Sequence, residues 1–437
     1  MLIFLLIMHL NFNNVRGNLR PSNLSVSFTR IAGVVKRFYN SYTGFERDAK
    51  LLIISGAISS ISYGFLDVTY APYMDIIGLG GALIGTLMLV SMLSSAILMI
   101  PFGILADRYG RKPFVLVNVL LSTLSFGIYF FVTDVVTFAL AELIRGIGWA
   151  MAWGTSGALL AEKTSEKQRP YAFGLSSFGF SVGAVIGYLM GAVPDFLTMV
   201  YGMSNIQSIR IMYLVTAFVT LSAIFPLIPI KEEKRTLEKT KGKRLNITSW
   251  RILAWFVLTN GLIGLGAGFM VPWFSLYFIA KFGVNLGEVG IVFAVSQVGM
   301  AIAYLLIPKM VEKIGCVHTI VYSQWTAILS LLLISVSPNF AVASVLYMIR
   351  VTLMNMSSPA FSSFVMGLLK SEERASGNSI IWASWNIANA LPRPAAGYIM
   401  KNIFLDMSLY ICASLYSVST IIFYTVFRKV EKKSNKP

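Results

Sequence analysis

The sequence predicts an all-α integral membrane protein with twelve transmembrane helices, divided into two halves of six. Composition supports this fold class, because the 437-residue chain is 56% hydrophobic and only 13% charged, with a mean hydropathy of +0.72. Soluble domains do not reach such values. The chain also contains twelve apolar runs long enough to cross a bilayer, and its basic residues fall in alternate segments between these runs.

A window of about 19 residues identifies each predicted span. The runs lie near residues 51–73, 81–105, 113–133, 137–161, 171–193, 210–230, 252–279, 287–308, 317–337, 341–369, 378–400 and 407–427. One polar stretch, 231–251, is dense in charges of both signs and is predicted to be a linker. We therefore expect an N-terminal arm (1–50), a first bundle (51–230), the linker (231–251), a second bundle (252–428) and a tail (429–437).

The formal net charge of +17 describes membrane topology and not an acidic partner. Thirty of the 36 Lys and Arg residues lie in the segments on one side of the predicted spans. Arg210, Lys281 and Lys401 lie on the other side, and Arg145, Arg350 and Arg393 lie within spans. Basic residues are retained on the cytoplasmic side, so both termini are predicted to be cytoplasmic, in a multi-pass plasma-membrane protein that does not bind nucleic acid.

The residue types needed for several chemistries are scarce. Cys316 and Cys412 are too few for a disulfide framework, and His9 and His318 are not close in sequence to a Cys or carboxylate cluster. No phosphate-binding glycine loop occurs in the sequence, so ATP hydrolysis by this chain is not expected. We predict no catalytic residues, no metal and no cofactor.

The segment before the first span allows two interpretations. Between residues 28 and 42, apolar residues recur at helical spacing with basic residues between them, which is typical of an interfacial helix and equally compatible with a disordered basic arm. Residues 1–8 are apolar but too short to span and lack a basic region, so they form a poor signal peptide. They are either the true N-terminus or the product of a misassigned start.

The charged segment between the second and third runs, residues 103–112, is predicted to be a short cytoplasmic loop. Gly103 lacks a Cβ and would let a neighbouring helix approach, while Gly110 permits the positive φ of a tight turn. Asp107, where the chain leaves the membrane, can face a helix N-terminus or a guanidinium. The basic residues Arg108, Arg111 and Lys112 hold the loop on the cytoplasmic side.

This stretch resembles the loop 2-3 signature of the major facilitator superfamily, G-x-L-A-D-R-x-G-R-K, with every position filled. Glu162 and Arg169 also match the superfamily's E-x6-R spacing in loop 4-5. The resemblance implies that these residues join the loop 2-3 charges in an inner network, or cytoplasmic gate. It also implies two six-helix bundles related by an axis along the membrane normal, with a binding site between them and transport by alternating access.

Charged residues inside the spans are the first candidates for that site. Asp67 in span one needs a partner or a water-filled cavity, unless it only caps the outer end. Glu142 and Arg145 in span four are three residues apart and share a helical face, which loosely resembles the superfamily's helix-four arginine signature. Span five carries glycines four or five apart and predicts close helix packing, but it lacks the Gly-Pro pair of antiporters.

A shift of 205 residues relates the two halves. It places Gly110 on Gly315, Asp107 on Glu312, Arg108 on Lys313, Arg145 on Arg350 and Arg169 on Arg374. The second copy has diverged: Pro308 replaces Gly103, Gly367 replaces Glu162 and Cys316 replaces Arg111. We therefore expect the halves to be held unequally at the inner face, with Glu312 and Arg374 as the second-half gate residues.

Polar residues within the apolar runs of the second half are candidates either for cavity lining or for helix packing. They are Asn260, Gln297, Arg350, Asn355, Trp382, Trp385, Asn386, Asn389 and Arg393. Trp382, Trp385, Asn386 and Asn389 share a face by their spacing. Arg393 lies between Pro392 and Pro394, which free backbone groups that a cavity or neighbour must satisfy.

These patterns favour secondary active transport of a small organic solute by a monomeric protein in the bilayer. The intramembrane charges leave one surplus positive charge, which favours an organic anion or metabolite. Multidrug efflux by proton antiport, sugar transport and a non-transporting membrane sensor stay open as alternatives, whereas a membrane enzyme is disfavoured. We predict coupling to protons through Asp67, with Arg145 as its counter-charge and Glu142 as a substitute; a fixed Asp67–Arg145 salt bridge is the structural alternative.

Overall fold

A computed structural model describes residues 44–132, 134–166, 168–232, 249–370 and 373–434. The described chain forms twelve consecutive helical spans, numbered here in order. They are span 1 (Arg47–Ile76), span 2 (Gly81–Tyr109), span 3 (Lys112–Phe131), span 4 (Val135–Glu162), span 5 (Arg169–Met190 and Ala192–Tyr201), span 6 (Asn205–Ser222 and Ile224–Leu227), span 7 (Trp250–Met270 and Phe274–Phe282), span 8 (Leu286–Ile314), span 9 (Cys316–Ser335), span 10 (Phe340–Leu368), span 11 (Arg374–Ala390 and Arg393–Asn402) and span 12 (Met407–Ser434). Each predicted run corresponds to one span.

Span 11 is the exception to an otherwise regular set. Eleven helices of the described chain are long and apolar enough to cross a membrane, and span 11 is not among them. It is interrupted between Ala390 and Arg393, next to Pro392, and its first segment is rich in polar residues. The predicted interfacial segment (28–42) and residues 233–248 of the linker lie outside the described residues.

The two halves repeat one packing scheme, which confirms the two six-helix bundles. Span 1 packs on spans 5 and 6, span 2 on span 4, and span 3 on spans 4 and 6. In the second half, span 7 packs on spans 11 and 12, span 8 on span 10, and span 9 on spans 10 and 12. The predicted glycine face of span 5 packs on span 1, since a Cβ at Gly183 or Gly187 would overlap the carbonyls of Ala57 and Ile61.

The two bundles meet at one end of the molecule. We call the end that carries residues 103–112 the inner end, and the opposite end the outer end. In the outer half, a Cβ at Gly81 would overlap the carbonyl of Gly397, and one at Gly85 would overlap the carbonyl of Arg393, so spans 2 and 11 touch through their backbones. Gly290 of span 8 approaches span 5 in the same way.

Polar contacts between the bundles complete the closure of the outer end, and we call these backbone and polar contacts together the outer seal. Asp75 and Lys401 form an ion pair between spans 1 and 11. The backbone N–H of Gly287 donates to Asp195 Oδ2 at 2.7 Å, joining spans 8 and 5. The Ser275 hydroxyl donates to the carbonyl of Val68, joining spans 7 and 1.

The inner ends pack separately. Phe45, Leu52 and Val115 belong to an apolar cluster made by the first bundle alone, and Leu253 and Phe427 belong to one made by the second bundle alone. A third cluster, in the outer half, contains residues of both bundles. The described part of the chain is therefore closed at the outer end and open at the inner end, which is an inward-facing conformation.

Candidate transport site and inner charge network

Glu142 and Arg145 of span 4 form an ion pair in the middle of the first bundle. Arg145 Nη2 donates to one carboxylate oxygen of Glu142, and the Tyr129 hydroxyl donates to the other. Glu142 is fully buried, whereas a quarter of the Arg145 side chain is exposed. The guanidinium also lies over the Tyr70 ring at 5.9 Å. A carboxylate this deep is tolerable because it is both paired and hydrogen-bonded.

Asp67 of span 1 has a different partner from the one that the sequence suggested. Its Oδ2 accepts a hydrogen bond from the Tyr188 hydroxyl of span 5 at 3.3 Å. Asp67 and Arg145 lie at similar depths, about 14 and 15 Å from the outer ends of their helices. Among the described residues they nevertheless form no ion pair with each other. The fixed Asp67–Arg145 bridge is therefore wrong for this conformation, because Glu142, one turn away on the same helix, holds the guanidinium.

Arg393 lies at the break in span 11. Its Nη2 donates to Asn389 Oδ1 at 2.6 Å and its Nε to the Asn389 carbonyl at 3.3 Å. It is half-buried, and within the described residues no carboxylate is at ion-pair distance. Arg393 lies where span 11 touches span 2, since a Cβ at Gly85 would overlap the Arg393 carbonyl. The break thus places a cation of the second bundle at the interface with the first.

The other predicted polar residues of the second half divide between packing and exposure. Asn389 is buried and donates to the Gly264 carbonyl of span 7. Asn355 and Asn386 donate to carbonyls one turn earlier in their own helices, at 2.8 and 2.9 Å. Trp385 packs edge-on against Trp382 and its backbone lies against Gly264. Arg350 is 3% exposed and does not reach the open side of the interface.

Sequence reasoning missed an aromatic layer directly inside the charged residues. Tyr63, Trp149 and Phe180 come from spans 1, 4 and 5, and each is about two-fifths exposed. The Tyr63 ring lies 6.2 Å from that of Trp149 and 5.6 Å from that of Phe180. The signal was present, because Tyr63 precedes Asp67 and Trp149 follows Arg145 by one helical turn. Without the packing of the three helices, it was indistinguishable from lipid-facing aromatics.

Arg111 is the centre of the charge network at the inner end of the first bundle. Its Nη2 donates to Asp107 at 2.7 Å and its Nη1 to Glu162 at 2.8 Å, so spans 2, 3 and 4 are joined. Asp107 thus faces a guanidinium, one of the two predicted partners. Arg169 donates instead to the Ala161 carbonyl at 3.1 Å. Arg108 lies over the Tyr109 ring at 5.4 Å.

The two glycines of this loop behave differently. Gly110 ends span 2 with φ +100°, as predicted for the tight turn. Gly103 has no atom within 4 Å of where its Cβ would be, so the expected close approach of another helix is not made in this conformation. The physical reason is that the inner ends of the bundles are apart.

Glu232, just after span 6, caps the start of span 3, a role that no pattern in the sequence predicted. Its carboxylate accepts from the backbone N–H groups of Arg111 and Lys112, the latter at 3.0 Å. In the second half, Glu431 near the end of span 12 accepts from the N–H groups of Cys316 (2.6 Å) and Val317 at the start of span 9. An anion at a helix N-terminus is favourable in both halves.

The rest of the second-half network is absent from the described residues. Cys316 occupies the position equivalent to Arg111, and its thiol donates to the Ala360 carbonyl at 3.3 Å. Glu312 is exposed and forms no hydrogen bond or ion pair within the described ranges. The side chain of Arg374 lies outside them. Cys316 cannot pair with carboxylates as Arg111 does, so within the described residues the two inner faces are held by different contacts.

Two packed bundles, an outer seal and a charged site open to one side define a membrane transporter that acts on small molecules. The sequence model of the Major Facilitator Superfamily matches residues 52–261 and 256–437, and the chain belongs to this family.

The chain is similar to family members that are named for different solutes. The "Uncharacterized MFS-type transporter MJ1560" of Methanocaldococcus jannaschii is 21% identical over 85% of this chain and 96% of its own. Multidrug resistance protein 1 of Bacillus subtilis is 22% identical over 77% and 86%. Among solved structures, the nucleoside transporter NupG covers 88% of this chain and 100% of its own with a TM-score of 0.71 and 15% identity. The fold is therefore that of the family, with twelve helices.

Proposed function

We propose that the protein is a proton-coupled secondary transporter of a small organic anion. It works as a monomer in the plasma membrane, with both termini in the cytoplasm, so that the inner end faces the cytoplasm. It has no catalytic activity and no cofactor. Thirty of the 36 basic residues in inner segments support this orientation.

The proposal of an anionic solute rests on the surroundings of Arg393. A guanidinium at membrane depth is costly unless it is paired, yet Arg393 is bonded only to the neutral Asn389 within the described chain. Arg145, by contrast, is already neutralised by Glu142. A planar donor fork in a half-buried position suits a carboxylate or another oxyanion.

Coupling to protons would run through Asp67, with Arg393 in the role that the sequence suggested for Arg145. In this proposal Arg393, which has no carboxylate partner among the described residues, is the counter-charge that stabilises Asp67. A solute anion that occupies Arg393 removes part of this stabilisation and so favours protonation of Asp67. Solute and proton then promote each other's binding, which is reciprocal linkage.

The anion site is tested by ligand-induced stabilisation of purified protein with pairs of organic acids and their amides. A ligand at about 100 times its dissociation constant stabilises by roughly 2.7 kcal/mol. We expect at least one acid, but not its amide, to raise the melting temperature of the wild type. Arg393→Gln should abolish this difference, and Arg393→Lys should retain part of it.

Arg108→Gln is the matched control, since Arg108 is exposed and lies only over the Tyr109 ring in the described structure. An acid that stabilises Arg393→Gln as strongly as the wild type would contradict Arg393 as the anion contact.

We predict that Asp67→Asn separates coupling from binding. Asp67 accepts one described hydrogen bond, from Tyr188, and an amide oxygen can accept the same bond, so the variant should fold normally. It should exchange solute across proteoliposomes but fail to accumulate it in response to an imposed pH difference. Continued pH-driven accumulation by Asp67→Asn would show that another group carries the proton.

Export of amphipathic drugs is the second candidate, and the exposed ring layer of Tyr63, Trp149 and Phe180 favours it. Multidrug resistance proteins 1 and 2 of Bacillus subtilis are among the relatives. Under this function, Trp149→Ala should reduce ethidium efflux from cells that express the protein, while Arg393→Gln should not. Under anion transport, Arg393→Gln should reduce transport of the organic acid more than Trp149→Ala does.

A further inference from the structure

Arg350 of span 10 is a buried cation with no counter-charge among the described residues. It is 3% exposed, and its Nη2 donates to the Tyr416 hydroxyl of span 12 at 3.2 Å. Its guanidinium lies over the rings of Phe274 and Tyr416 at 5.2 and 5.9 Å. Its Nε is buried and has no acceptor among the described residues. Aromatic faces stabilise a cation in part, but they leave a guanidinium donor unsatisfied.

Among the described residues of the second bundle, no acid is placed to neutralise this arginine. The described carboxylates lie near helix ends, namely Glu288, Glu312, Glu373, Asp406 and Glu431. The repeat-related Arg145 has Glu142 three residues earlier, but the equivalent position before Arg350 is Tyr347. A partner for Arg350 must therefore come from the first bundle or from a solute.

A row of aromatic rings separates Arg350 from the acidic site of the first bundle. Tyr347 packs on Phe274 at 4.8 Å and on Phe293 at 5.1 Å, and Phe293 packs on Tyr188 at 5.7 Å. Tyr188 in turn donates to Asp67. Arg350 thus lies one aromatic layer away from the bundle interface and is covered in the inward-facing conformation.

Phe274, one of the rings that cover Arg350, lies next to a contact of the outer seal. Phe274 begins the outer half of span 7, just after the 3-10 turn Val271–Trp273, and Ser275 beside it donates to the Val68 carbonyl of span 1. Opening of the outer end must break this contact between spans 7 and 1. Phe274 is the residue next to this contact, so loss of the contact releases the segment that holds its ring over Arg350.

We propose that Arg350 and the Tyr416 hydroxyl form a second binding site for a carboxylate, covered in the inward-facing conformation and uncovered when the outer end opens. This inference rests on the proposed function, because its ligand is the carboxylate of the transported anion or that of Asp67. The guanidinium supplies a charged donor pair and Tyr416 a neutral donor, which suits one carboxylate. The surrounding rings suit an aromatic acid.

The test compares benzoate with its neutral analogue benzamide in full-length purified protein. Gly81→Leu is used to open the outer end, since a side chain at Gly81 overlaps the Gly397 backbone. In this background we expect benzoate, titrated at constant ionic strength, to bind about tenfold more tightly than in Gly81→Leu/Arg350→Gln, because a charge-assisted pair is lost. Benzamide binding should be the same in both.

Two further variants keep the test decisive if Arg350→Gln folds poorly. Arg350→Lys keeps the positive charge but loses the planar pair of guanidinium donors. It should retain part of the preference for benzoate over benzamide. Tyr416→Phe keeps the ring and removes the hydroxyl, and it should weaken benzoate but not benzamide. Equal benzoate affinity in Gly81→Leu with and without the Arg350 or Tyr416 change overturns the proposal.

Arg393→Gln and Asp67→Asn separate the remaining outcomes. Loss of benzoate binding in Arg393→Gln together with full binding in Arg350→Gln contradicts the second site and leaves the proposed function intact. Loss in Arg350→Gln alone supports the second site. With that loss, tighter benzoate binding in Asp67→Asn identifies Asp67 as a competing occupant, and unchanged binding identifies a solute carboxylate as the occupant.

Discussion

At the residue scale, the Glu142–Arg145 pair shows how one helical turn decides the role of a charge. Both residues and their shared face were evident from the sequence, and the structure adds Tyr129 as a second donor to Glu142. Because Glu142 is fully buried, both carboxylate oxygens need a donor, and Arg145 and Tyr129 supply one each. A quarter of the Arg145 side chain stays exposed, so the pair is not sealed completely within the bundle.

We predict that Glu142→Gln destabilises the protein by about 2 kcal/mol. Loss of one member of a buried pair costs about 3 to 5 kcal/mol, and the partial exposure of Arg145 lowers this value. The melting temperature of the purified variant measures the effect, with exposed Glu166→Gln as the control. The double variant Glu142→Gln/Arg145→Gln should recover most of the loss; if it is less stable than either single variant, the two residues do not act as a pair.

At the element scale, backbone contact between spans 2 and 11 holds the outer end shut. The polar first segment of span 11 and its break at Pro392 bring the second segment, Arg393–Asn402, against span 2. The contact depends on glycine at positions 81 and 397, since each Cβ would overlap the other's carbonyl. Small residues at a moving interface allow tight closure without a side-chain interlock.

We predict that Gly81→Leu shifts the protein to an outward-open state, whereas Gly80→Leu does not. Gly80 has no atom within 4 Å of its Cβ position and an ordinary backbone conformation, so it is a matched neighbour. The reporter is Ser275→Cys in a Cys316→Ser/Cys412→Ala background. An impermeant thiol reagent added from outside should label it about tenfold faster with Gly81→Leu. Equal rates for the two leucine variants would show that spans 2 and 11 do not form the seal.

At the scale of the whole molecule, the asymmetry between the two ends defines the transport cycle. The outer end is held by contacts between bundles, whereas the inner network around Arg111 lies within the first bundle alone. Asp107 is paired with Arg111 and exposed at the inner end, the surface that the second bundle approaches when the inner ends close. A contact present in one state and absent in the other sets the balance between them.

We predict that Asp107→Asn folds normally and transports severely less. A loss of about 1 to 3 kcal/mol from one state shifts the equilibrium roughly 5- to 150-fold. The measurement is turnover in proteoliposomes, together with labelling of Ser275→Cys from outside, which should fall as the inward-facing state gains population. Glu166→Gln, in the next inner loop, is the control. Wild-type turnover in Asp107→Asn would restrict the loop to a role in membrane insertion.

Orientation is the second prediction at this scale. Single cysteines at Glu166 and Ser434 should react with an impermeant reagent only in inverted vesicles, and one at Ser204 only in intact cells. The basic residues of the inner segments give the physical reason. Labelling of Glu166→Cys in intact cells would invert the topology and the sidedness of every site described above.

The sequence by itself determined the class, the span count and the inner loop of this protein. Hydropathy and basic-residue position are local sums along the chain, so each predicted run became a span whatever its neighbours were. The turn at Gly110 and the shared face of Glu142 and Arg145 involve few residues, so local geometry was enough to predict them. The ion pair itself, with Glu142 in the place of Asp67, comes from the structure. The second-half repeat also predicted that Cys316 would leave the inner face unequal.

Only the tertiary structure decided which distant groups meet. Asp67 is bonded to Tyr188, 121 residues away, and not to Arg145; Glu232 caps a helix that begins 120 residues earlier. Three further features were decided only by the tertiary structure: the burial of Arg350, the contact of Gly81 with Gly397 and the inward-facing state. Each depends on how two helices far apart in sequence are rotated and spaced against each other. In spans 1 and 2 the pattern along the helix carries little information about that rotation, because these two helices are nearly uniformly apolar around their axes.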